Sequence, residues 1–453
     1  MAPYRVLVVD DSGFMRKIIS DLIVQDPQFT IVATAENGLD AIEAVREWKP
    51  DAVTLDLEMP LMNGIEALQM IMKDNPTPVI MLSGISEDNT RETIKALQFG
   101  AFDFIRKPSS ALSNDIHQVG EVLLEKLRIA VLTKRHQPVI TISEKPELIV
   151  EEVKSRIHRI DNALKKPLHH EEPVIAPLPA PIKDRNKPVF PKVEHKQQTQ
   201  QEAPPLHTKP KGAKPEVTEP SKAAAKIAAH NSVIKEPLAD AKPLFAEPLS
   251  ISKAKTSDLQ SAFKHIVAIG TSTGGPRALH EVITSLPADF PAPVLIVQHM
   301  PPKFTKSLAK RLDSFSGLHV VEAEQGQRVG AGVVFLAPGG YHMELAKDSS
   351  GYSILLTEQP QRNGHRPSVD VLFESLTAFR ELKRHAVIMT GMGSDGAKGM
   401  KLLVESGAET TIAEAEETCV VYGMPRSAIE AGCVGKVLPL QHIAPQLVQA
   451  VLK

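Results

Sequence analysis

The chain has 453 residues, 42% hydrophobic, 23% charged and 4% aromatic, with 26 Gly and 36 Pro, enough material for two or three domains with real cores. Lys plus Arg total 52 against 54 Asp plus Glu, and a net charge of −2 excludes a broad basic field for nucleic acid. Two cysteines, Cys419 and Cys433, exclude a disulfide framework and fit a reducing cytosol. No stretch approaches the ~18–20 apolar residues of a membrane span. The first apolar run, 6–9, is too short and too soon followed by Asp10-Asp11 for a signal peptide, so a cytoplasmic protein is expected.

In chain order, short Val/Ile-rich runs at 6–9, 31–35, 52–55 and 79–82 read as buried parallel strands. Helical patterns at 16–24, 39–48, 64–73 and 90–99 lie between them, and a fifth strand at 102–106 leads to a helix near 115–132. Strands alternating with helices predict a doubly wound α/β domain. Residues 136–260 differ: they hold 17 of the 36 prolines, one glycine (Gly212) and two aromatics (Phe190 and Phe245). Such a segment cannot bury enough surface to offset chain entropy, so a long, Pro-stiffened, disordered tether is expected. Helical spacing at 147–165 marks a local exception, read as a helix appended to the first domain.

The α/β pattern resumes after Lys264. Strands are predicted at 265–269, 294–297, 333–336, 352–356 and 386–389, with helices at 277–285, 304–314, 369–376, 396–405 and 425–431. The fold class is therefore α/β, two doubly wound parallel-sheet domains joined by the linker.

Asp10 and Asp11 end the first strand, Asp56 the third, Ser83 the fourth and Lys107 the fifth. In a parallel sheet these ends share one edge, where ligands bind. Three converging carboxylates repel one another unless a divalent cation binds, and an all-oxygen donor set suits Mg²⁺. A single acid at a strand end is an ordinary loop residue; five groups in register are not. The Lys107-Pro108 bond is expected to be cis. Residues 4–122 with this constellation resemble a response-regulator receiver domain, of flavodoxin-like fold. The resemblance implies Asp56 as phosphoacceptor, Mg²⁺ held by Asp11, Asp10 and Asp56 with the Glu58 carbonyl, Ser83 and Lys107 on the phosphoryl oxygens, and Phe104 as the switch aromatic.

The second domain opens with a strand running into Gly270-Thr271-Ser272-Thr273-Gly274-Gly275-Pro276. The pattern fits a serine on a tight strand-to-helix turn, whose N–H groups can stabilise an oxyanion. Ser272 merely capping the helix is an equal alternative from this string alone, and a phosphate loop is a weaker one because neither glycine signature of that kind matches. Among 16 histidines, His299 follows the strand at 294–297 and reaches the same sheet edge as Ser272; His342 and His365 are competitors in other loops. For the orienting acid, Asp395 in Thr390-Gly391-Met392-Gly393-Ser394-Asp395-Gly396 competes with Asp370 in Pro367-Ser368-Val369-Asp370.

These motifs, with Gln298-His299-Met300-Pro301, Ala337-Pro338-Gly339 and Gly423-Met424-Pro425, make residues 262–453 resemble the catalytic domain of chemotaxis protein-glutamate methylesterases, the CheB family. The resemblance implies a Rossmann-like fold, Ser272 as nucleophile, His299 as base, Asp395 as its orienter, and the Thr273 and Met392 N–H groups as oxyanion donors. It implies demethylation of glutamate methyl esters and deamidation of selected glutamines on chemoreceptors, no cofactor in this half, and a chemotaxis histidine kinase as phosphodonor; a monomer with no nucleic-acid partner and no direct membrane insertion is expected. Residues 123–261 are the helical extension and linker, long for this family; ~110 residues reach about 60 Å. Leaky but retained autoinhibition is expected, lowered in basal activity by shortening the tether. A receiver-gated nucleotide-binding module is the alternative, and a receiver-driven transcription factor lacks a basic helix-turn-helix candidate.

Overall fold

A computed structural model describes residues 2–84, 86–108, 113–133 and 263–452. Among them, β1 (Tyr4–Val9), β2 (Phe29–Ala35), β3 (Ala52–Asp56), β4 (Val79–Ser83) and β5 (Asp103–Arg106) form a five-stranded sheet in the order β2-β1-β3-β4-β5. Every pairing in it is parallel. Helices α1 (Gly13–Ile23), α2 (Gly38–Trp48), α3 (Gly64–Asp74), α4 (Glu87–Gln98) and α5 (Ser113–Thr133) provide the crossovers and cover the sheet. The inner strands β3 and β4 and most of β1 are buried on both faces, which is why they read as unbroken apolar runs, whereas the edge strand β2 is mostly half-buried. Local signals start the helices: the Ser12 hydroxyl accepts the Met15 N–H before α1, and Asn63 with Glu66 closes a reciprocal cap before α3.

The second sheet has seven parallel strands in the order β14-β13-β12-β6-β7-β9-β8. They are β6 (His265–Thr271), β7 (Val294–Gln298), β8 (His319–Glu322), β9 (Val333–Leu336), β12 (Lys383–Ile388), β13 (Thr410–Glu414) and β14 (Lys436–Leu438). Helices α6 (Gly275–Thr284), α7 (Phe304–Asp313), α8 (Val369–Leu376), α9 (Ala397–Glu405), α10 (Met424–Glu430) and α11 (Leu440–Val451) pack around it. One core joins Ile266, Ala268, Leu295 and Phe335 of the sheet to Val369, Leu372 and Phe373 of α8. Both sheets belong to one compact unit.

Several expectations change in detail. The run at 352–356 is a strand, β11 (Gly351–Thr357), but it pairs antiparallel with β10 (His342–Asp348) outside the main sheet. Its side chains are mostly half-buried, and an apolar run alone does not say which sheet it joins. Strands β8, β10, β13 and β14 and helix α11 are additions; β8 holds only two apolar residues between a histidine and a glutamate, and β14 is three residues long, too short for a periodic signal. Helix α5 (Ser113–Thr133) lies where a helix near 115–132 is expected. The Lys107–Pro108 bond is not cis; among the described residues the cis bond is Arg366–Pro367. The tether, with its expected helix at 147–165, lies outside the described residues. No described helix is long and apolar enough to cross a membrane.

Candidate active site

Strand order explains the site. The strand order turns back between β6 and β12, so the loops after β12, β6 and β7 meet at a topological switch point, the usual ligand crevice of an open α/β sheet. Those loops carry Asp395, Ser272 and His299 respectively. The Ser272 N–H donates to the Thr390 carbonyl at 3.0 Å, and the His299 N–H to the Thr271 carbonyl at 3.1 Å. Gln298, buried, donates its amide to the Ser272 carbonyl at 2.9 Å while its oxygen accepts the Thr271 hydroxyl at 2.6 Å. The three loops are thus bonded backbone to backbone before any catalytic side chain is considered.

Gly391 shows how close they run. A Cβ there would lie 2.8 Å from Ser272 Cβ and 2.3 Å from Met424 Sδ, so only glycine lets the 390–396 loop pass the serine. Behind it, buried Glu414 accepts the Thr390 N–H at 2.8 Å, and the Thr390 hydroxyl donates to the Thr273 carbonyl at 2.9 Å. Burial pushes the Glu414 carboxyl above its ordinary range.

His299 Nε2 lies 2.8 Å from Asp395 Oδ2, both side chains being buried. Asp395 also accepts the Val369 N–H at 2.7 Å, the Asp370 N–H at 3.2 Å, the Ser368 hydroxyl at 2.8 Å and the Asn363 amide at 2.8 Å. Burial alone would raise its pKa. The imidazole and these donors outweigh burial and hold the carboxyl well below the usual carboxylate range. Asp370, the competing acid, does not meet His299; its Oδ1 instead accepts the Gly396 and Gly399 N–H groups at the start of α9. The other imidazole nitrogen, His299 Nδ1, is buried and has no hydrogen-bond partner, so Ser272 Oγ and His299 are not hydrogen-bonded in this structure. The Thr273 and Met392 N–H groups likewise carry no hydrogen bond among the described residues.

Of the competing histidines, His342 is buried elsewhere, with Nε2 on the Pro360 carbonyl at 3.1 Å. His365 lies flat on His299, ring centroids 3.7 Å apart and planes 11° from parallel. Burial, then the neighbouring His299, lowers its pKa to about 4.

At the edge of the five-stranded sheet, oxygen atoms of Asp10, Asp11 and Asp56 lie within 4.8 Å of one another. Lys107 Nζ bridges Asp10 Oδ2 and Asp56 Oδ1 at 2.7 Å each. Burial raises the Asp56 pKa to about 6 against the pull of that ammonium. An acidic cluster of hard oxygens suits a divalent cation. Ser83 is buried with its hydroxyl 2.6 Å from that of Thr93, and Glu58 is exposed.

The two centres are physically connected. Phe104, buried, stacks on Phe304 of α7 at 4.5 Å. Its neighbour Asp103 accepts the Thr273 hydroxyl at 2.7 Å and pairs with Lys126 of α5 at 2.5 Å. Helix α4 adds Thr90 to Ser307 at 2.7 Å, Gln98 to Arg311 at 3.0 Å and Glu87 to Lys310 at 2.8 Å. Sequence reasoning missed Asp103, Lys126, Asn363 and Glu414, and read Ser368 only as part of a motif and not as a partner of Asp395. Asn363-Gly364 was legible as a turn, but none of the others carries a local signal for its partner.

Comparison with known proteins gives two family models: "CheB methylesterase" over residues 267–447 and "Response regulator receiver domain" over residues 6–118. A relative from Geobacillus kaustophilus, named protein-glutamate methylesterase/protein-glutamine glutaminase, is 40% identical over 100% of this chain and 99% of its own. A second of the same name, from Halalkalibacterium halodurans, is 37% identical over 98% and 97%. A crystal structure of the Thermotoga maritima CheB methylesterase catalytic domain is 48% identical, covers 42% of this chain and 100% of its own, and aligns with a TM-score of 0.41.

Proposed function

The chain belongs to the family of protein-glutamate methylesterases/protein-glutamine glutaminases, and from that premise we propose a phosphorylation-controlled hydrolase working through Ser272, His299 and Asp395. Its substrates are glutamate methyl esters, and selected glutamines, on the cytoplasmic helices of chemoreceptors. The division is a receiver at 4–122, an extension and linker at 123–261 and a catalytic domain at 262–453.

The observation that supports this most is the buried His299–Asp395 pair beside the Ser272 loop. With Nε2 committed to an ionised Asp395, the lone pair is left on Nδ1, the nitrogen without a partner. Ser272 gives its hydroxyl proton to Nδ1 as Oγ bonds to the γ-carbonyl carbon. The resulting oxyanion faces the free Thr273 and Met392 N–H groups. The C–O bond to the methoxy group breaks, and methoxide leaves as methanol with the proton from Nδ1. Water then gives a proton to Nδ1 as its oxygen bonds to the acyl carbon, and the bond from that carbon to Ser272 Oγ breaks with Oγ taking the proton back from Nδ1, freeing glutamate; with a glutamine side chain the first leaving group is ammonia. The order Ser…His…Asp is no obstacle, since geometry defines such a triad. A serine with its own base needs no metal, so none is assigned to this half.

In the receiver, Asp56 takes the phosphoryl group from a phosphohistidine of the chemotaxis histidine kinase. Asp10, Asp11, Asp56 and the Glu58 carbonyl would hold Mg²⁺, which when bound neutralises charge on the phosphoryl oxygens. Ser83 and Lys107 bind those oxygens, Ser83 by leaving Thr93, and Phe104 follows as the switch residue. Before phosphorylation, Asp103 on Thr273 and Phe104 on Phe304 keep the receiver over the serine loop. A cytoplasmic monomer with no nucleic-acid partner and no direct membrane insertion completes the reading.

The test is methanol release from methylated receptor membranes, with and without acetyl phosphate. Wild type should release methanol faster with the phosphodonor, Asp56→Asn should not respond, and Ser272→Ala should release none. Wild-type release by Ser272→Ala would overturn the assignment.

A further inference from the structure

Between β11 and α8 the chain doubles back through Arg362-Asn363-Gly364-His365. Arg362 and His365 exchange both backbone hydrogen bonds, at 2.9 and 3.0 Å. Asn363 and Gly364 have φ of 54° and 79°, the pair of positive values that a tight two-residue turn of the primed type demands. The turn is pinned to α8 by Arg362 on Glu374 at 2.6 Å.

Two side chains leave this turn for the catalytic pair. The Asn363 amide donates to Asp395 at 2.8 Å and to Asp370 at 2.8 Å. The His365 ring covers a face of His299 at 3.7 Å. Resting on the esterase reading above, we propose that His365 is a positioning residue for the reaction, its ring fixing the plane of the His299 imidazole so that Nε2 stays on Asp395 and Nδ1 stays turned to the serine proton.

The physical need is specific. One hydrogen bond at Nε2 leaves an imidazole free to rock about that bond and about its own side-chain torsion. A flat surface in van der Waals contact with the ring removes that rotation, and a catalytic group must be held within a few tenths of an ångström to act. His365 stays neutral beside His299 at physiological pH, since burial disfavours its charged form. It therefore adds no repulsion when His299 takes up the serine proton, and it offers the new imidazolium a π face. On this reading the face matters, and the ring nitrogens do not.

The experiment uses the full-length chain activated with acetyl phosphate. Methanol release gives kcat and KM, a fluorophosphonate gives the labelling rate of Ser272, and a melting curve reports folding. His365→Ala should lower kcat and the labelling rate together by about tenfold to a hundredfold, with KM little changed. His365→Phe should restore most of both, because a flat ring is kept. His365→Leu, which fills the space without a plane, should be as slow as His365→Ala and covers the case in which the alanine variant folds poorly. Wild-type kcat in His365→Ala, or a phenylalanine variant as slow as the alanine one while melting normally, would overturn the proposal. Failure of the esterase reading is distinguishable, for then wild type itself would release no methanol, or Ser272→Ala would release it as fast as wild type.

Discussion

Asp103 Oδ2 accepts the hydroxyl proton of Thr273 at 2.7 Å, joining residues 170 positions apart in the chain. Asp103 precedes Phe104, the proposed switch aromatic, and Thr273 follows the proposed nucleophile. One hydrogen bond thus ties the phosphorylation side of the molecule to the serine loop.

Removing that bond should loosen the hold. A hydrogen bond to a charged group contributes about 1.5–3 kcal/mol, so Asp103→Ala should raise the unphosphorylated esterase rate by roughly tenfold or more. Stimulation by acetyl phosphate should shrink correspondingly. Methanol release with and without the phosphodonor reads both, and an unchanged basal rate would count against the contact as a restraint.

Asp395 is held ionised by its donors and is the partner of His299 Nε2. Asp395→Asn keeps the shape but removes the charge that stabilises a protonated imidazole, and it presents an N–H where an acceptor is needed. The expected loss in kcat is about 10²–10⁴-fold, with circular dichroism unchanged. A loss of only a few-fold would point to another orienting acid.

Gly391→Ala inserts a Cβ into space held by Ser272 Cβ and Met424 Sδ. Overpacking of this kind costs about 1–3 kcal/mol and displaces the loop that carries Met392 and Asp395. Labelling of Ser272 by a fluorophosphonate should collapse, while Asp56 still accepts phosphate. Loss of both would mean global unfolding instead.

His385, buried in β12 at the other end of its strand, packs against His265 with Nδ1 of His265 3.0 Å from its Nε2. Burial lowers its pKa to about 4, with His265 and Lys383 adding to the effect. The unfolded chain binds a proton near pH 6.5 and the folded one does not until about 4, so stability is lost as pH falls across that window. Between pH 7.5 and 4.5 this group should cost wild type about 2–3 kcal/mol relative to His385→Gln, read from urea midpoints. A constant difference across the window would refute it.

Both α/β halves were legible because a parallel strand buried on two faces must be a continuous apolar run, and Val6–Val9 or Val294–Val297 can be little else. The acids of the first half were legible for a related reason: strand ends in such a sheet share an edge. Strand β8 was not legible, because its two valines stand between a histidine and a glutamate and make no apolar run like the four of β9.

Sequence by itself determined that Ser272 and His299 follow strand ends, left a choice between Asp395 and Asp370, and put Asp56 among the acids at the edge of the first sheet. Tertiary structure decided the rest. Only the order β12-β6-β7 puts Asp395 opposite His299, and only packed side chains commit Nε2 and leave Nδ1 bare. His365 on His299 and Asp103 on Thr273 are likewise contacts across the fold. The reason is physical: backbone propensity and apolar period act over a few residues, whereas a partner across a loop or between sheets is chosen by the arrangement of whole elements.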